Sequence, residues 1–204
     1  IGNRLEGNDY GVWGGYSFNS SIAQNCFIGN RVGVAIEHGQ ENAITGNAFL
    51  GDTTAVWLWG NPIEPSDWVY PKKRDTKSRG YSVEGNRIER ARVGLRVAQT
   101  SATAVRGNAA SNLQVVGNTA TDIGEVAIYS EFGFEGTVIS NNTIDRAALG
   151  ISVTNFNEGG HLAVVQGNLI RNLKSKRPAG TDPNDSAGVG IAVEADASVT
   201  GNVI

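Results

Sequence analysis

The 204-residue sequence contains no methionine and one cysteine, Cys26, so no intramolecular disulfide holds it together. No apolar run approaches the roughly 18 residues that a membrane helix needs. Charge of one sign is also lacking, with 17 Lys and Arg against 20 Asp and Glu, which excludes a global attraction to nucleic acid. There is no Walker-type glycine loop, no Gly-x-Ser-x-Gly elbow and no Cys-x-x-Cys pair, so nucleotide, esterase and zinc chemistry find no support. Calcium-loop spacing of acidic residues is missing as well, and neither a metal nor a cofactor is expected. The chain starts at Ile1 without an initiator methionine or a charged-then-apolar leader, and reads as a processed or excised piece. What remains is a folded domain: 40% of residues are apolar, enough for a core, and 27 are glycine.

The glycines punctuate a repeat. Ile22, Asn25, Phe27, Val34 and Ile36 recur 22 residues later as Ile44, Asn47, Phe49, Val56 and Leu58. Twenty-two residues earlier stand Asn3, Leu5, Val12 and Gly14, and only Gly14 departs in type. The same offsets return at Val83, Asn86, Ile88, Leu95 and Val97 after an insertion of 17 residues, and again at Ile139, Asn142, Ile144, Ile151 and Val153. Val115, Asn118 and Ala120 lead to Val126 and Ile128 with one residue fewer, while Val165, Asn168 and Ile170 reach Ile191 and Val193 across a long loop. Within each unit the apolar positions alternate, and a period of two means strand rather than helix. A strand with one apolar face is unstable alone, so units that coil and stack, each strand pairing with its copy one rung away, bury a continuous core. The expected fold is all-β: a right-handed parallel β-helix with about 22 residues per coil.

The Asn at the fourth position of each first strand usually follows Gly. Asn tolerates left-handed backbone at a bend, and its amide can bond to the Asn one rung away, so the residues predict an asparagine ladder. A leucine-rich repeat has a similar period, but its additional leucines would fall on Asn19 and Ser17, or on Glu41 and Gly39, which are the wrong type.

On these coils, of the form x-Ile-x-x-Asn-x-Phe followed by Val-x-Ile, the chain resembles the right-handed parallel β-helix superfamily of pectate-lyase-like proteins. Residues 115–204, with Glu-Val-Ala-Ile-Tyr-Ser-Glu-Phe-Gly-Phe-Glu-Gly and Val-Thr-Asn-Phe-Asn-Glu-Gly-Gly, are similar to uncharacterised twin-arginine-exported bacterial repeat proteins. Residues 1–108 look like generic secreted β-helix repeats. The resemblance implies a secreted or periplasmic location.

A single domain covers 1–204, with insertions at 60–80 and 171–187. A seam is expected at 108–115, because Val105 and Val115 both start a first-type strand only 10 residues apart. Either a second strand is missing there or two β-helix pieces meet. Uncapped coils would invite end-to-end self-association.

A closed core leaves function to outward strand positions and loops. The outward residue of the second strand is Trp13, then Ala35, Trp57 and Arg96 on successive rungs, with Tyr16, Glu37, His38 and Trp59 at or just past the strand ends. Aromatics at rung spacing can stack on sugar rings, which predicts a polysaccharide groove lined by Trp13, Tyr16, Trp57, Trp59 and Arg96. The insertion 60–80 adds Trp68 and Tyr70 beside Lys72, Lys73, Arg74, Lys77 and Arg79, a composition that favours an acidic polysaccharide. The alternative is that these side chains merely cover the sheet.

A lyase or glycoside hydrolase in the same groove would place Glu37 or His38 in the acid/base role, His38 oriented by Glu37 or paired with Arg96. Glu64, Asp67, Lys72 and Asp75 are further candidates, and the second half offers Tyr129, Glu131, Asn155, Glu158, His161, Asp182, Asp185 and Glu194. Asp182-Pro183-Asn184-Asp185 is similar to the Asp-Pro-x-Asp of alginate epimerases, but it lies in a loop among Lys174, Lys176 and Arg177 without histidine, which argues against that chemistry. A third reading is an architectural module without ligand. Nucleic acid and membrane are not expected partners.

Overall fold

The computed structural model describes residues 1–61, 63, 66–97, 113–131, 136–154, 162–174 and 188–204, Glu131 in its backbone alone. The first coil comprises β1 (Arg4–Glu6), β2 (Tyr10–Gly15) and β3 (Ser21–Ala23), and the second β4 (Cys26–Ile28), β5 (Val32–Glu37) and β6 (Ala43–Thr45). The third runs through β7 (Ala48–Leu50), β8 (Thr54–Trp59), the short helix α1 (Val69–Lys73) and β9 (Ser82–Glu84). Then follow β10 (Arg87–Glu89), β11 (Val93–Val97) and β12 (Gln114–Val116), β13 (Thr119–Glu131) and β14 (Val138–Ser140), and β15 (Thr143–Thr154) and β16 (Ala163–Gln166). β17 (Leu169–Arg171), β18 (Val189–Glu194) and β19 (Ala197–Thr200) complete the stack.

Every pairing of these strands is parallel, and each is with the copy one coil away. The chain is a parallel β-helix. The spacing between successive copies is 22 from Arg4 to Cys26 and again to Ala48, as the repeat predicts. It then lengthens to 39 and 32 residues, and settles at 24 and 26. Extra residues are absorbed between strands, so the register of the columns survives. At the expected seam β9 pairs directly with β12, Val83 opposite Val115, so the sheet passes from one coil to the next there. Val105 and residues 108–112 lie outside the described residues, as do 175–187 of the later insertion.

The core is the set of inward columns. Phe27 stacks on Phe49 with ring centroids 4.7 Å apart, and Ile22, Ile44, Val83, Val115 and Ile139 form a second file across from Val34, Val56, Leu95, Ile128 and Ile151. The strands stop because the backbone turns left-handed at fixed places. At one corner the positive-φ residues are Gly7, Gly29, Gly51, Arg90, Asp122, Arg146 and Asn172, and at another Gln24, Gly46, Gly85, Gly117, Asn141, Gly167 and Gly201.

After the second of these corners stands the asparagine ladder. Asn25 donates its backbone N–H and its side-chain Nδ2 to Oδ1 of Asn47, at 2.9 and 3.0 Å, and Asn47 does the same to Asn86. The pattern continues through Asn118, Asn142 and Asn168 to Asn202. Each inner Nδ2 also caps a strand carbonyl, Asn47 that of Ile22 and Asn86 that of Ile44. The ladder thus satisfies polar groups that the bend would otherwise leave bare in the interior.

Candidate functional site

The outward column of the second strand is real. Trp13 lies opposite Ala35, Ala35 opposite Trp57, Trp57 opposite Arg96, and Arg96 opposite Tyr129. Its members differ in access. Trp13 is 56% exposed, whereas Ala35 is fully covered and Trp59 only 5% exposed. Trp57 tilts against Trp59 at 4.6 Å, and the Arg96 guanidinium lies 5.4 Å from the Trp57 ring centre. Trp57, Trp59 and Arg96 therefore pack on one another over the sheet, and Trp13 is the open platform of the strip. Arg96 is engaged with Trp57, not with His38.

Glu37 sits in register between Gly15 and Trp59. Its carboxylate accepts from the Trp59 indole N–H at 3.2 Å and from Asn61 Nδ2. His38 has left-handed backbone, φ 54°, and is 6% exposed. Its Nδ1 is 2.8 Å from the Thr76 carbonyl, which can only accept, so Nδ1 carries the proton. Nε2 then accepts from the Asn61 backbone N–H at 3.2 Å. Both ring nitrogens are occupied, so His38 presents no spare lone pair toward solvent.

A second cluster forms where the insertion folds back. Tyr16, also left-handed at φ 56°, stacks on His38 with centroids 4.8 Å apart. Trp68 and Tyr70 stand edge-on to Tyr16 at 5.8 and 5.6 Å, and stack on each other. α1 thereby hangs over the turns of the first two coils. Burial pushes the Tyr16 hydroxyl above its ordinary pKa, Glu37 and Asp67 add to this, and a hydrogen bond with Trp68 opposes it.

Between these turns and the insertion opens a cleft of about 340 Å³, within the usual range for ligand pockets. One wall is Tyr16, Ser17 and Phe18, the floor is His38 and Gln40, and the other wall is Tyr70 with Arg74, Asp75 and Thr76. Gln40 anchors the far wall, donating to the carbonyls of Asp75 and Lys77 at 2.9 and 3.1 Å. Asp75 is held below the ordinary carboxylate range by the Lys77 backbone N–H and by Arg79, whose guanidinium is 2.7 Å away. Arg74 lies over Tyr70 at 5.7 Å, and no carboxylate of the described residues pairs with it. Phe18 is 68% exposed and Tyr70 40%, so two apolar surfaces and a cation face the cleft.

The structure thus joins Tyr16, His38 and Trp68 in one place, and Trp57, Trp59, Arg96 and Glu37 in another. Lys72 is exposed on α1. Phe18, Gln40 and Thr76 were not expected in the site, although Phe18 and Gln40 are themselves 22 apart and bridge in register. Glu64, Asn155, Glu158, His161, Asp182 and Asp185 lie outside the described residues.

Metal ligands are sparse. The sequence has no methionine and two histidines, and the described residues hold no group of three His, Cys, Asp or Glu side chains. Cys26 is half-buried on the outer face of β4, opposite Arg4 and Ala48. No helix of the described residues is long and apolar enough to cross a membrane. No curated protein and no solved structure gives a match. Residues 1–70 match the family described as periplasmic copper-binding protein (NosD), so the first two coils and strands β7 and β8 of the third are similar to a periplasmic family, over about a third of the chain.

Proposed function

We propose that this chain is an exported parallel β-helix protein that binds an acidic polysaccharide in the cleft between the 16–18 turn and the insertion. Export is supported by the periplasmic family that residues 1–70 resemble. Binding is supported above all by one observation: Phe18 and Tyr70, both exposed, line one open cleft together with Arg74, a cation with which no carboxylate of the described residues pairs. Aromatic faces take the C–H side of a pyranose ring, and a guanidinium takes a carboxylate or sulfate in bidentate fashion. Trp13 extends the surface one strand away.

The family description names copper, and the described residues do not fit it. Copper sites are built from imidazole, thiolate or thioether groups. Here His38 has both nitrogens engaged, Cys26 stands outside any cluster of ligands, and no thioether exists in the chain. The similarity is therefore read as one of coil architecture. A lyase or hydrolase reading needs Glu37 or His38 free, and both are committed to Asn61, Trp59 and Thr76.

Calorimetric titration with oligogalacturonate, oligoalginate and neutral gluco-oligosaccharides tests the binding reading. Phe18→Ala and Tyr70→Ala should each weaken binding at least about tenfold, as expected for loss of one aromatic contact. Arg74→Gln should weaken the acidic oligomers alone. Absence of heat with all three classes, or full affinity in the double variant, overturns it and leaves the architectural reading.

A further inference from the structure

His38 ties down both ends of one excursion of the chain. Asn61, where the chain leaves β8, gives its backbone N–H to Nε2, and Thr76, where it returns, takes the proton on Nδ1. Everything that forms the outer wall of the cleft, α1 with Trp68 and Tyr70 and then Arg74 and Asp75, lies between those two points. The imidazole is stacked on Tyr16, and the backbone of His38 is fixed by its own N–H, which donates to the Trp59 carbonyl at 2.9 Å.

This arrangement works in one protonation state only. The lone pair on Nε2 faces a donor, and the Asn61 backbone N–H cannot reverse its polarity. Adding a proton at Nε2 sets N–H against N–H and breaks that bond, while the Nδ1–H bond to the Thr76 carbonyl persists and gains charge assistance. The result is asymmetric, with the excursion released at its start and still pinned at its end. We propose that His38 is a proton-operated latch for the 61–76 excursion, closed when Nε2 is bare and opened at the Asn61 end by protonation, so that acidification undoes the outer wall of the cleft.

Among the described residues the titratable and charged groups near the ring include Asp67, whose charge acts on the stacked Tyr16. Tyr16 stacks on the imidazole from the first coil, Glu37 precedes His38 on β5, and Arg74 and Asp75 face the ring across the cleft. Glu37 shares the latch, because its carboxylate holds the side chain of Asn61, the same residue whose backbone meets Nε2. That side-chain bond does not involve the imidazole, so protonation of His38 acts on the Nε2 bond alone.

The inference concerns regulation of the site assigned to polysaccharide, but its test uses no ligand, so each can fail without the other. In the full chain carrying His161→Gln, the ring ¹⁵N resonances of His38, the amide of Asn61 and the indole N–H of Trp68 are followed by NMR from about pH 7.5 to about pH 5, the span in which histidines titrate. The expected result is an Nδ1–H tautomer at the upper end, and shifts of Asn61 and Trp68 with the same midpoint as the His38 ring. In His38→Phe, which keeps the stack on Tyr16, those shifts should disappear. An Nε2–H tautomer at neutral pH, or protonation of His38 with Asn61 and Trp68 unmoved, overturns the latch. If His38→Phe fails to fold, the tautomer and the coincidence of midpoints still decide.

Discussion

Asn30 gives both its backbone N–H and its side-chain amide to a single oxygen of Asp52, at 2.6 and 2.8 Å. This is the second step of a second polar file, in which Asn8 bonds to Asn30 by the same two donors. The file then stops, since the equivalent positions in later coils are Ala91, Ile123 and Ala147, in the apolar core, and Leu173, packed against it. Asp52 is fully buried and its Oδ2 has no partner. One coil earlier, the amide of Asn30 fills the corresponding place by donating to the Leu5 carbonyl at 3.0 Å. A carboxylate there would set an oxygen against the equivalent carbonyl of Phe27. A protonated acid would donate to it.

Burial accordingly pushes Asp52 above the ordinary carboxylate range, with the Asn30 bonds opposing. A pKa raised on folding gives stability that is fully present below the unfolded value and lost as pH rises through the folded value. Wild type should thus lose stability, relative to Asp52→Asn, as pH rises from the ordinary carboxylate range through the raised folded value. The variant restores the amide and should be more stable at pH 7 by about 1–3 kcal/mol, the cost of one unsatisfied buried polar group. Urea midpoints of the two proteins across pH check this. Equal pH profiles would refute a raised pKa at Asp52.

The long ladder is a more severe case. Asn86 accepts from the backbone and side chain of Asn47 and donates to the Ile44 carbonyl and to Asn118. Asn86→Ala leaves several of these groups without a partner in a dry interior, and should cost about 3–5 kcal/mol. Asn3→Ala, at the exposed end of the same file, should cost under about 1 kcal/mol. Equilibrium urea unfolding of both variants provides the comparison.

Corners where a side chain occupies left-handed backbone are strained for all but glycine. Gln24, φ 56°, holds the position that Gly46, Gly85 and Gly117 fill on the next coils. Gln24→Gly should therefore stabilise the chain by about 1 kcal/mol, the usual penalty for a Cβ in that region. Thermal unfolding reads the change, and a lower midpoint would show that the Gln24 side chain contributes more by its contacts than it costs.

The stack was legible because it rests on periodicity. Residues that alternate along a strand and repeat at 22 must lie above one another, and Trp13, Ala35, Trp57 and Arg96 do. What the alternation cannot reach is any residue beyond a left-handed turn. Tyr16 and His38 follow their strands by one position, where φ is positive, and their rings stack on each other beneath the excursion, with His38 buried at the floor of the cleft, instead of continuing the outward column. The docking of Trp68 and Tyr70 onto Tyr16 was illegible for a different reason. The excursion has no repeat to set its register, and its contacts are made with coils that precede it by many residues. Exposure within the strip also depended on neighbours: Trp59 is the last residue of β8, but Glu37 and Trp57 close over it.

The roles of Glu37 separate cleanly by substitution. Its carboxylate receives the indole N–H of Trp59 and the amide of Asn61, both as acceptor bonds. Glutamine retains one oxygen for those donors, whereas alanine leaves the largely buried Trp59 N–H without an acceptor. Glu37→Ala should therefore lower stability by about 1–3 kcal/mol, and Glu37→Gln by less than about 1 kcal/mol. A Glu37 that serves as acid or base in bond cleavage would reverse this order of severity in a different readout: incubation with pectate, alginate or neutral glucan would yield product in the parent and none in Glu37→Gln, because the amide cannot exchange a proton. Measuring unfolding and product formation on the same three proteins distinguishes a carboxylate that holds the excursion in place from one that performs chemistry.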